Sequence, residues 1–499
     1  MTVQSLSMAL IAAFDRAADR VLISQDDREL TGHQLCAAMD DLALRLIALG
    51  VAPGDRVAVQ SPKSLDLVML YLGCLRLGAV YLPLNDAYRA DEVGYFLRDA
   101  GPSLFICAPA DEAALVASAC IPTAVTVRTL GAVGEGSWLQ ATPSDVALPP
   151  PPASPDDLAA IVYTSGTTGR SKGAMLSQRN LLANARDLAE VWGISADDRL
   201  LHALPLYHIH GLFIAMHPLL LAGGRIDLLP AFDADAVLQR LDDATVFMGV
   251  PTHYTRLLAS PGLTREATAN VRLFVSGSAP LTPATFTAFA ERTGHDILER
   301  YGMTECGIIC SNPLDGPRLP GAVGQPLPGY RVRIAGGAAT GVLEVRGDSL
   351  FGGYWQMPEK TREEFRDDGY FITGDIASID DDGVVRIVGR DKDMIISGGL
   401  NIYPIEIETL LEAMAEIGDV AVVGVPHADF GEAVLAVVCL RAGANLTGPE
   451  IIDRLRPHLA GFKLPKAVVF APALPRNAMG KVQKAELRRV HAGQFDLCA

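Results

Sequence analysis

Short apolar runs rich in β-branched residues alternate with amphipathic helical patterns from about residue 55 to residue 305. Segments such as Ala234–Leu241 have the helical period, and the runs between such segments predict strands. The predicted strands are Val57–Val59, Ala79–Pro83, Leu104–Cys107, Ile161–Tyr163, Leu200–Leu204, Ile226–Leu229, Thr245–Val250 and Leu273–Ser276. This alternation is typical of α/β layers with largely parallel sheets, and it predicts an α/β fold for most of the chain.

Two changes of pattern divide the rest of the chain. Residues 342–390 contain short strands and turn signals such as Asp382-Gly383, which predict a small β subdomain. After Arg390 the pattern predicts a helix at Pro404–Met414, a hairpin of Val420–Val425 and Ala433–Leu440, a helix at Pro449–Leu459 and a strand at Ala467–Phe470. We therefore predict a large N-terminal domain at 1–390, which includes the β subdomain, and a small α+β C-terminal domain at 391–499. The proline-rich segment 148–155 is interpreted as a loop within the first domain.

The charge balance and the cysteines restrict the classes of partner. The 499 residues carry a formal net charge of −16, and eight cysteines are scattered along them. A field of this sign repels polyanions, which argues against nucleic acid and membrane surfaces as partners. The cysteines lack the paired spacing of zinc sites or disulfide frameworks, so we expect a reducing, cytoplasmic location. No run approaches the ~20 apolar residues that span a bilayer, and we expect neither export nor a membrane anchor.

A segment rich in glycine, serine and threonine follows the strand that ends at Val162. Residues 163–173 read Tyr-Thr-Ser-Gly-Thr-Thr-Gly-Arg-Ser-Lys-Gly. The glycines permit tight turns with N–H groups pointing inward, and the hydroxyl groups and Lys172 add donors for phosphate oxygens. Because glycine follows the lysine, the segment differs from the Walker pattern. A flexible surface loop is the alternative interpretation, but solvated linkers rarely place lysine between glycines directly after a buried strand.

Four further motifs follow in order along the chain. They are Tyr-Gly-Met-Thr-Glu at 301–305, Ile-Thr-Gly-Asp at 372–375, Gly-Arg-Asp-Lys-Asp at 389–393 and Pro-Arg-Asn-Ala-Met-Gly-Lys at 475–481. With the segment 163–173 they resemble the adenylate-forming superfamily of acyl-CoA synthetases, adenylation domains and luciferases, over about residues 30–490. The resemblance implies that ATP and a small carboxylic acid form an acyl-adenylate with release of pyrophosphate. Transfer of the acyl group to coenzyme A would follow.

The resemblance also implies a nucleotide site, and the residue types suit it. Tyr301 would stack on adenine, Asp375 would accept hydrogen bonds from the ribose hydroxyls, and Arg390 would donate to the same sugar. Glu305 would bind Mg²⁺, which prefers carboxylate and phosphate oxygens. Taken singly, a tyrosine is more often a core residue and such an aspartate a turn former, so the ordered set carries the interpretation. The implied ATP-binding residues are Thr164, Ser165, Gly166, Thr167, Thr168, Gly169, Lys172, Ser276, Gly277, Ser278, Ala279, Arg300, Tyr301, Gly302, Met303, Thr304, Asp375, Arg390 and Lys481.

Thr164, Glu305 and Lys481 are the predicted catalytic residues. A lysine in a turn near the C-terminus is by default a solvated surface residue, but the superfamily places its adenylation lysine at the position of Lys481. Attack of the acid on the α-phosphate builds negative charge at phosphorus, which a positioned cation stabilises. The acid is already ionised at pH 7 and needs no general base. Acetylation of Lys481 would remove the charge, and we hypothesise that it regulates the enzyme.

The second half-reaction requires the thiol of coenzyme A to reach the acyl carbon. In the superfamily the C-terminal domain is mobile and rotates about a hinge two residues after the ribose-binding arginine, which is Lys392 in this chain. The adjoining Ser397, Gly398 and Gly399 would then line the pantetheine tunnel, because glycine permits close approach of backbone and ligand. A structural turn at the two glycines is the competing interpretation.

The acid pocket is predicted from two segments. His208 and His210 lie in Leu204–Leu212, and without a third ligand nearby we favour a substrate-pocket role for His208 over a metal site, with His210 unassigned. The run Met248–Leu258 resembles that of malonyl-CoA synthetases and implies that Arg256 holds the distal carboxylate of the acid. Arg256 stands among apolar residues at the start of a helix, so we expect its guanidinium to be buried. Ser276 and Met303 would complete the pocket.

Some features of the pocket differ from the pattern of malonyl-CoA synthetases. His253 stands where an aromatic residue is expected, and Cys306–Cys310 is a run of smaller residues. The resemblance therefore implies malonate as the acid, with methylmalonate or another short carboxylic acid as the alternative substrate. Arg256 has alternative roles as well, because it could extend to water or pair with Asp233. A carrier-protein thiol as acceptor and a nucleotide-binding regulator without turnover are the alternative functions.

Overall fold

A computed structural model describes residues 4–164, 171–397, 400–427, 429–477 and 481–495. The strands are β1 Val21–Gln25, β2 Arg28–Thr31, β3 Arg56–Gln60, β4 Val80–Pro83, β5 Leu104–Cys107, β6 Thr126–Thr129, β7 Leu158–Thr164, β8 Lys172–Ser177, β9 Arg199–His202, β10 Arg225–Leu228, β11 Val246–Gly249, β12 Leu273–Ser276, β13 Leu298–Met303, β14 Gly307–Ser311, β15 Gln325–Pro326, β16 Tyr330–Ile334, β17 Thr340–Gly347, β18 Phe371–Ile379, β19 Val385–Arg390, β20 Ile395–Ser397, β21 Leu400–Ile402, β22 Ile417–His427, β23 Gly431–Leu440 and β24 Ala467–Phe470.

The α-helices lie between these strands. They are α1 Leu6–Arg16, α2 Gly32–Ala48, α3 Leu65–Leu77, α4 Ala90–Ala100, α5 Glu112–Ala117, α6 Gln178–Val191, α7 Met216–Ala222, α8 Ala234–Arg240, α9 Pro251–Ala259, α10 Pro283–Thr293, α11 Pro358–Glu363, α12 Pro404–Glu412, α13 Gly448–Leu455 and α14 Lys484–Val490. A π-helical turn, His210–Ile214, precedes α7.

Two large sheets form the core of the first part of the chain. The nine-stranded sheet has the order β15-β14-β13-β12-β11-β9-β10-β1-β2, and the six-stranded sheet has the order β6-β5-β3-β4-β7-β8. The predicted α/β class is confirmed, since β9 to β13 pair in parallel and so do β3 to β7. Every residue of α3 is buried, as its apolar composition on all sides requires.

Parallel pairing brings the carboxyl ends of neighbouring strands to one edge of the nine-stranded sheet. Gly249 at the end of β11 is in register with Ser276 at the end of β12, and Ser276 is in register with Glu299 in β13. Ligands of open α/β sheets bind at such carboxyl edges. The loops after β9, β11 and β12 therefore form the candidate site.

Two smaller sheets follow. β16 to β19 form a four-stranded antiparallel sheet, and β20 to β24 form a five-stranded sheet in which β22 and β23 make the predicted hairpin. The four-stranded sheet begins at Tyr330, before the predicted start of the β subdomain at residue 342. The chain passes from one sheet to the other through a short 3₁₀ turn at Asp391–Asp393. The domain limits at 390 and 391 remain a prediction.

None of the helices within the described ranges has the length and hydropathy that a bilayer-spanning segment needs.

Candidate active site

The predicted ribose-binding residues form one hydrogen-bonded group. The hydroxyl of Tyr301 donates to Oδ2 of Asp375 at 2.5 Å, and Nε of Arg390 lies 3.1 Å from Oδ1 of the same carboxylate. The geometry arises because Asp375 in β18 is in register with Arg390 in β19. Sequence reasoning therefore selected three residues that the fold brings together.

Glu305 lies in the tight turn of the β13–β14 hairpin. Gly302 permits this turn, because a Cβ atom there would lie 2.1 Å from the carbonyl oxygen of Gly307. Glu305 is 5% exposed, and its Oε1 accepts hydrogen bonds from the hydroxyl groups of Tyr354 at 3.0 Å and Thr164 at 3.5 Å. Burial raises the pKa of Glu305, while the Tyr354 hydroxyl and the charge of Lys172 act in the opposite direction.

Lys172 is the first residue of β8 and lies near the end of the glycine-rich segment 163–173, here called the phosphate-loop segment. It is opposite Thr164 across the β7–β8 hairpin, its Nζ lies 2.8 Å from Oε1 of Glu364, and the same ammonium stands 4.1 Å from the ring centre of Tyr354. Burial would raise the pKa of Glu364, but Lys172 and Tyr354 hold it below its usual value. Glu364 and Tyr354 lie outside the recognised motifs, and sequence reasoning missed both.

Residues Ser165, Gly166, Thr167, Thr168 and Gly169, which were predicted to bind ATP, lie outside the described residues, as do Gly398 and Gly399 of the predicted tunnel.

Arg300 is buried beneath the turn that follows β12. It is 5% exposed, and a Cβ atom on Gly277 would lie 2.3 Å from its Cζ, so a side chain there would displace the guanidinium. Nε and Nη2 of Arg300 have no hydrogen-bond partner among the described residues. Burial lowers the pKa of Arg300 to about 9, against the opposing effect of Glu299. A buried guanidinium with free donors is a site for an anion.

Other buried polar atoms near Arg300 also have no partner among the described residues. They are Ser276 Oγ, His210 Nε2, His253 Nδ1 and Oε2 of Glu299, the residue before Arg300. The Oγ atom of Ser278 lies 3.3 Å from Nδ1 of His210. Ser278 has a φ of 71°, in the left-handed region. This group, with Arg300, is the candidate acid pocket at the carboxyl ends of β9, β11, β12 and β13.

The histidines of the acid pocket are neutral. His208 Nδ1 accepts from the backbone N–H of His210 at 3.2 Å, which leaves Nε2 of His208 as its donor. Burial lowers the pKa of His208 and of His253 to about 3. The charges of Lys481 and Arg300 also lower the pKa of His208. The charges of Arg256 and Lys63 also lower the pKa of His253. Neutral imidazoles can donate hydrogen bonds to a carboxylate without adding a charge.

Lys63 is a second buried cation close to this pocket, and sequence reasoning missed it. Its Nζ lies 2.7 Å from both Nδ1 and the carbonyl oxygen of His202. Nε2 of His202 is 2.9 Å from the carbonyl of Gly211 and must carry the proton, so Nδ1 accepts from Lys63. The chain of contacts fixes the start of the π-helical turn that carries His210.

Lys481 faces both ends of the site. The residue is exposed, and its turn is closed by hydrogen bonds in both directions with Asn477. Partial removal from water and the positive charge of Arg390 lower the pKa of Lys481 to about 8, while Asp375 and Glu305 raise it. The ammonium therefore lies within electrostatic range of the ribose-binding and metal-binding candidates.

The remaining predicted residues have different surroundings. Arg256 lies on the last turn of α9 and is exposed, which contradicts the expectation of a buried guanidinium, and Asp233 caps α8 instead of pairing with it. The buried face of α9 carries Tyr254 and Leu257, so position 256 points away from the core. Lys392 is exposed in the 3₁₀ turn between the two small sheets, and Ser397 is buried opposite Gly431.

Comparison with known proteins identifies this arrangement. The AMP-binding enzyme family matches residues 11–355, and the AMP-binding enzyme C-terminal domain matches residues 406–481. The chain belongs to the AMP-binding enzyme family.

Individual relatives of this AMP-binding enzyme align over nearly the whole chain. The crystal structure of ATP-bound MatB from Rhodopseudomonas palustris has a TM-score of 0.93 and 47% identity, and covers 98% of this chain and 99% of that one. A feruloyl-CoA synthase from an Amycolatopsis species is 37% identical over 92% of this chain and 94% of its own. The malonate–CoA ligase of Arabidopsis thaliana is 34% identical over 97% of this chain and 89% of its own. This AMP-binding enzyme is an ATP-dependent, AMP-forming acyl-CoA ligase.

The lowered pKa of Lys481 gives a pH dependence. The side chain is charged below pH of about 8 and loses its proton as the pH rises through that value. Since kcat/KM for ATP reports the free enzyme, we expect it to fall as the pH rises above about 8. Lys481→Arg, which stays charged, should remove this fall. A wild-type profile that stays flat up to pH ~10, or an equal fall in the arginine variant, would contradict the assignment.

Proposed function

We propose that this acyl-CoA ligase activates a short dicarboxylic acid, with malonate as the preferred substrate. The observation that carries the proposal is Arg300, a buried guanidinium with two unpaired donors at the acid pocket. A monocarboxylate uses its one charge in the reaction with ATP, whereas a dicarboxylate has a second charge that can pair with this cation. The malonate–CoA ligase among the relatives supports malonate, whereas the similarly related feruloyl-CoA synthase means that identity alone does not decide the acid.

Arg300 was first predicted to bind ATP, and its surroundings favour the acid instead. The neutral His210 and the hydroxyl of Ser276 lie in the same buried group, and each has a free polar atom. In the proposal Arg300 holds the distal carboxylate from the buried side of the pocket. Arg256 contributes a charge from its exposed side, and His208 and Met303 border the reacting carboxylate.

In the proposed adenylation step the two ends of ATP bind different groups. Tyr301, Asp375 and Arg390 hold the nucleoside, and the segment from Thr164 to Lys172 holds the phosphates. The reacting carboxylate oxygen attacks the α-phosphorus, and the bond to pyrophosphate breaks. Lys481 stabilises the charge that develops there.

Glu305 is the proposed ligand of Mg²⁺. A single buried carboxylate beside the hydroxyl of Thr164 suits an ion that retains waters and takes phosphate oxygens for the rest of its shell. No group of three acidic, histidine or cysteine side chains that could hold a metal ion occurs in the part of the chain that the structure describes. In the proposal, the phosphates of ATP complete the site. When bound, the ion neutralises phosphate charge.

The thioester-forming step uses coenzyme A as the thiol acceptor in this proposal. Its thiol sulfur attacks the acyl carbon, and AMP leaves with the bonding electrons. The turn at Asp391–Asp393 is the only connection between the two small sheets along the chain, which supports Lys392 as the hinge.

Lys481→Ala should separate the two half-reactions. We expect pyrophosphate release to fall by about 10³-fold, because the variant lacks the ammonium that stabilises the negative charge developing at phosphorus. Thioester formation from purified malonyl-adenylate and coenzyme A should be largely retained, because in that step the thiol attacks the acyl carbon and not the phosphorus. A fully acetylated Lys481 should behave like the alanine variant. Equal losses in both half-reactions would contradict the assignment.

Lys392→Pro should trap the adenylate. Proline fixes φ at the proposed hinge, so we expect thioester formation to slow by about tenfold or more while adenylation changes by less than about threefold. Single-turnover measurement of each step tests this, with Lys392→Ala as the control that removes the side chain but leaves φ free. If the proline variant performs both steps like the alanine variant, the hinge lies elsewhere.

Arg300→Met should abolish the preference for a dicarboxylate. We expect kcat/KM for malonate to fall by about 10²-fold or more while the value for propionate changes little, because only malonate loses an ion pair in a buried site. Arg256→Leu should act in the same direction with less than about a tenfold effect, since exposed ion pairs contribute about 1 kcal/mol or less.

Arg292→Met is the matched control for these variants. Its guanidinium donates to the backbone carbonyls of Leu258, Ser260 and Leu263 and supports only the fold. It should lower the unfolding temperature without changing the ratio of malonate to propionate. If Arg300→Met lowers both acids equally and raises KM for ATP, Arg300 serves the nucleotide and the proposal fails.

A further inference from the structure

A buried network of two carboxylates, a lysine and a tyrosine lies next to the phosphate-loop segment. The hydroxyl of Tyr354 is 3.0 Å from Oε1 of Glu305 and 2.7 Å from Oε2 of Glu364. Lys172 bonds Glu364 at 2.8 Å and lies over the ring of Tyr354. The Tyr354 hydroxyl has a single proton and lies between the two carboxylates, and Lys172 pairs with only one of them.

The pairing within this network is selective. Lys172 forms its ion pair with Glu364, although Glu305 is bonded to the same tyrosine. Glu364 also forms an ion pair with Lys360, whose Nζ lies 3.3 Å from Oε1 and whose side chain is more exposed than that of Lys172. Glu364 is therefore the carboxylate with two cations, and Glu305 has no direct ion pair among the described residues.

We propose that Glu364 is a positioning residue that holds Lys172 away from Glu305, so that the carboxylate of Glu305 stays available to a divalent cation. Tyr354 is the spacer between the two acids. The inference rests on the proposed role of Glu305 and adds residues to it that lie outside the recognised motifs.

The physical reason is the cost of an unpaired charge in a buried place. Lys172 has 8% of its side chain exposed, and without the charge of Glu364 its nearest remaining buried carboxylate in the network is Glu305. A buried cation that loses its partner moves toward another anion or distorts its surroundings. An ion pair between Lys172 and Glu305 would neutralise the carboxylate that the cation needs.

The same pair anchors the stem of the phosphate-loop segment. Lys172 is the first residue of β8, and Glu364 directly follows α11, 192 positions along the chain. The carbonyl oxygen of Gly173, the next residue in β8, accepts a hydrogen bond from the backbone N–H of Trp355 at 2.7 Å. This backbone contact joins β8 to the segment that leads into α11. The backbone contact keeps the stem in place when the charge of Glu364 is removed, so that Glu364→Gln tests the charge.

Equilibrium binding without turnover tests the proposal. The affinity for ATP is measured by calorimetry with and without Mg²⁺ and in the absence of acid, and the affinity for AMP is measured alongside. In the wild type, Mg²⁺ should tighten ATP binding. In Glu364→Gln that gain should shrink by about tenfold, with AMP binding within about twofold of wild type, because Tyr301, Asp375 and Arg390 are untouched.

Two further variants complete the experiment. Tyr354→Phe keeps the ring under Lys172 but removes the hydroxyl, and it should reduce the gain in the same direction, which keeps the test decisive if Glu364→Gln is unstable. Glu363→Gln is the matched control, since this neighbour is 66% exposed and bonds only Lys360 among the described residues. It should retain the full gain.

The outcomes separate the inference from the proposed function. If wild-type ATP binding gains nothing from Mg²⁺, the proposed metal role of Glu305 fails. If the wild type gains and Glu364→Gln gains equally, the positioning role of Glu364 is overturned. Equal weakening of ATP and AMP in Glu364→Gln would also overturn it, because that pattern reports damage to the fold.

Discussion

A buried guanidinium at the carboxyl edge of a parallel sheet is the constraint around which this site is organised. Arg300 extends from β13 beneath a turn in which Gly277, which has no side chain, lets the guanidinium lie close to the backbone. Burying such a charge is costly unless an anion completes its hydrogen bonds. The neutral histidines and the serine hydroxyl beside it donate or accept without competing for that anion. In the proposal, the second carboxylate of the substrate compensates the buried charge of Arg300.

At the other end of the site, the proposed role of Glu305 requires a carboxylate that is available to a cation. The hydroxyl groups of Tyr354 and Thr164 contact Glu305, while Lys172 pairs with Glu364. Lys481 stands between the two ends and is affected by charges from both. Partial removal from water and the charge of Arg390 lower its pKa. In the proposal, the cations for the acid and for phosphorus come from separate elements of the chain.

The sequence predicted the regular part of the fold well, because parallel strands buried on both faces are continuous apolar runs. β3, β5, β7 and β12 lie at or within a few residues of their predicted positions. β2 was missed since it is an exposed edge strand that contains Arg28 and Glu29. β16 was missed for a similar reason, because two arginines interrupt its apolar residues.

The site was predicted where residues cluster in motifs, and not where distant segments meet. Tyr301, Asp375 and Arg390 were selected together, and they contact one another. Lys63 pairs with a residue 139 positions away, and Glu364 with one 192 positions away, so no local pattern reveals either. Arg256 was expected to be buried because its segment is apolar, but the orientation of α9 depends on packing beyond that segment.

Competition between acids in the wild-type enzyme tests the central claim most directly. Malonate, methylmalonate, propionate, butyrate and ferulate would be compared by kcat/KM, first for pyrophosphate release and then for the CoA thioester. The account predicts that malonate exceeds propionate by about 10²-fold or more in both measurements, since only a second carboxylate can pair with a buried cation. Propionate or ferulate used as efficiently as malonate would contradict it.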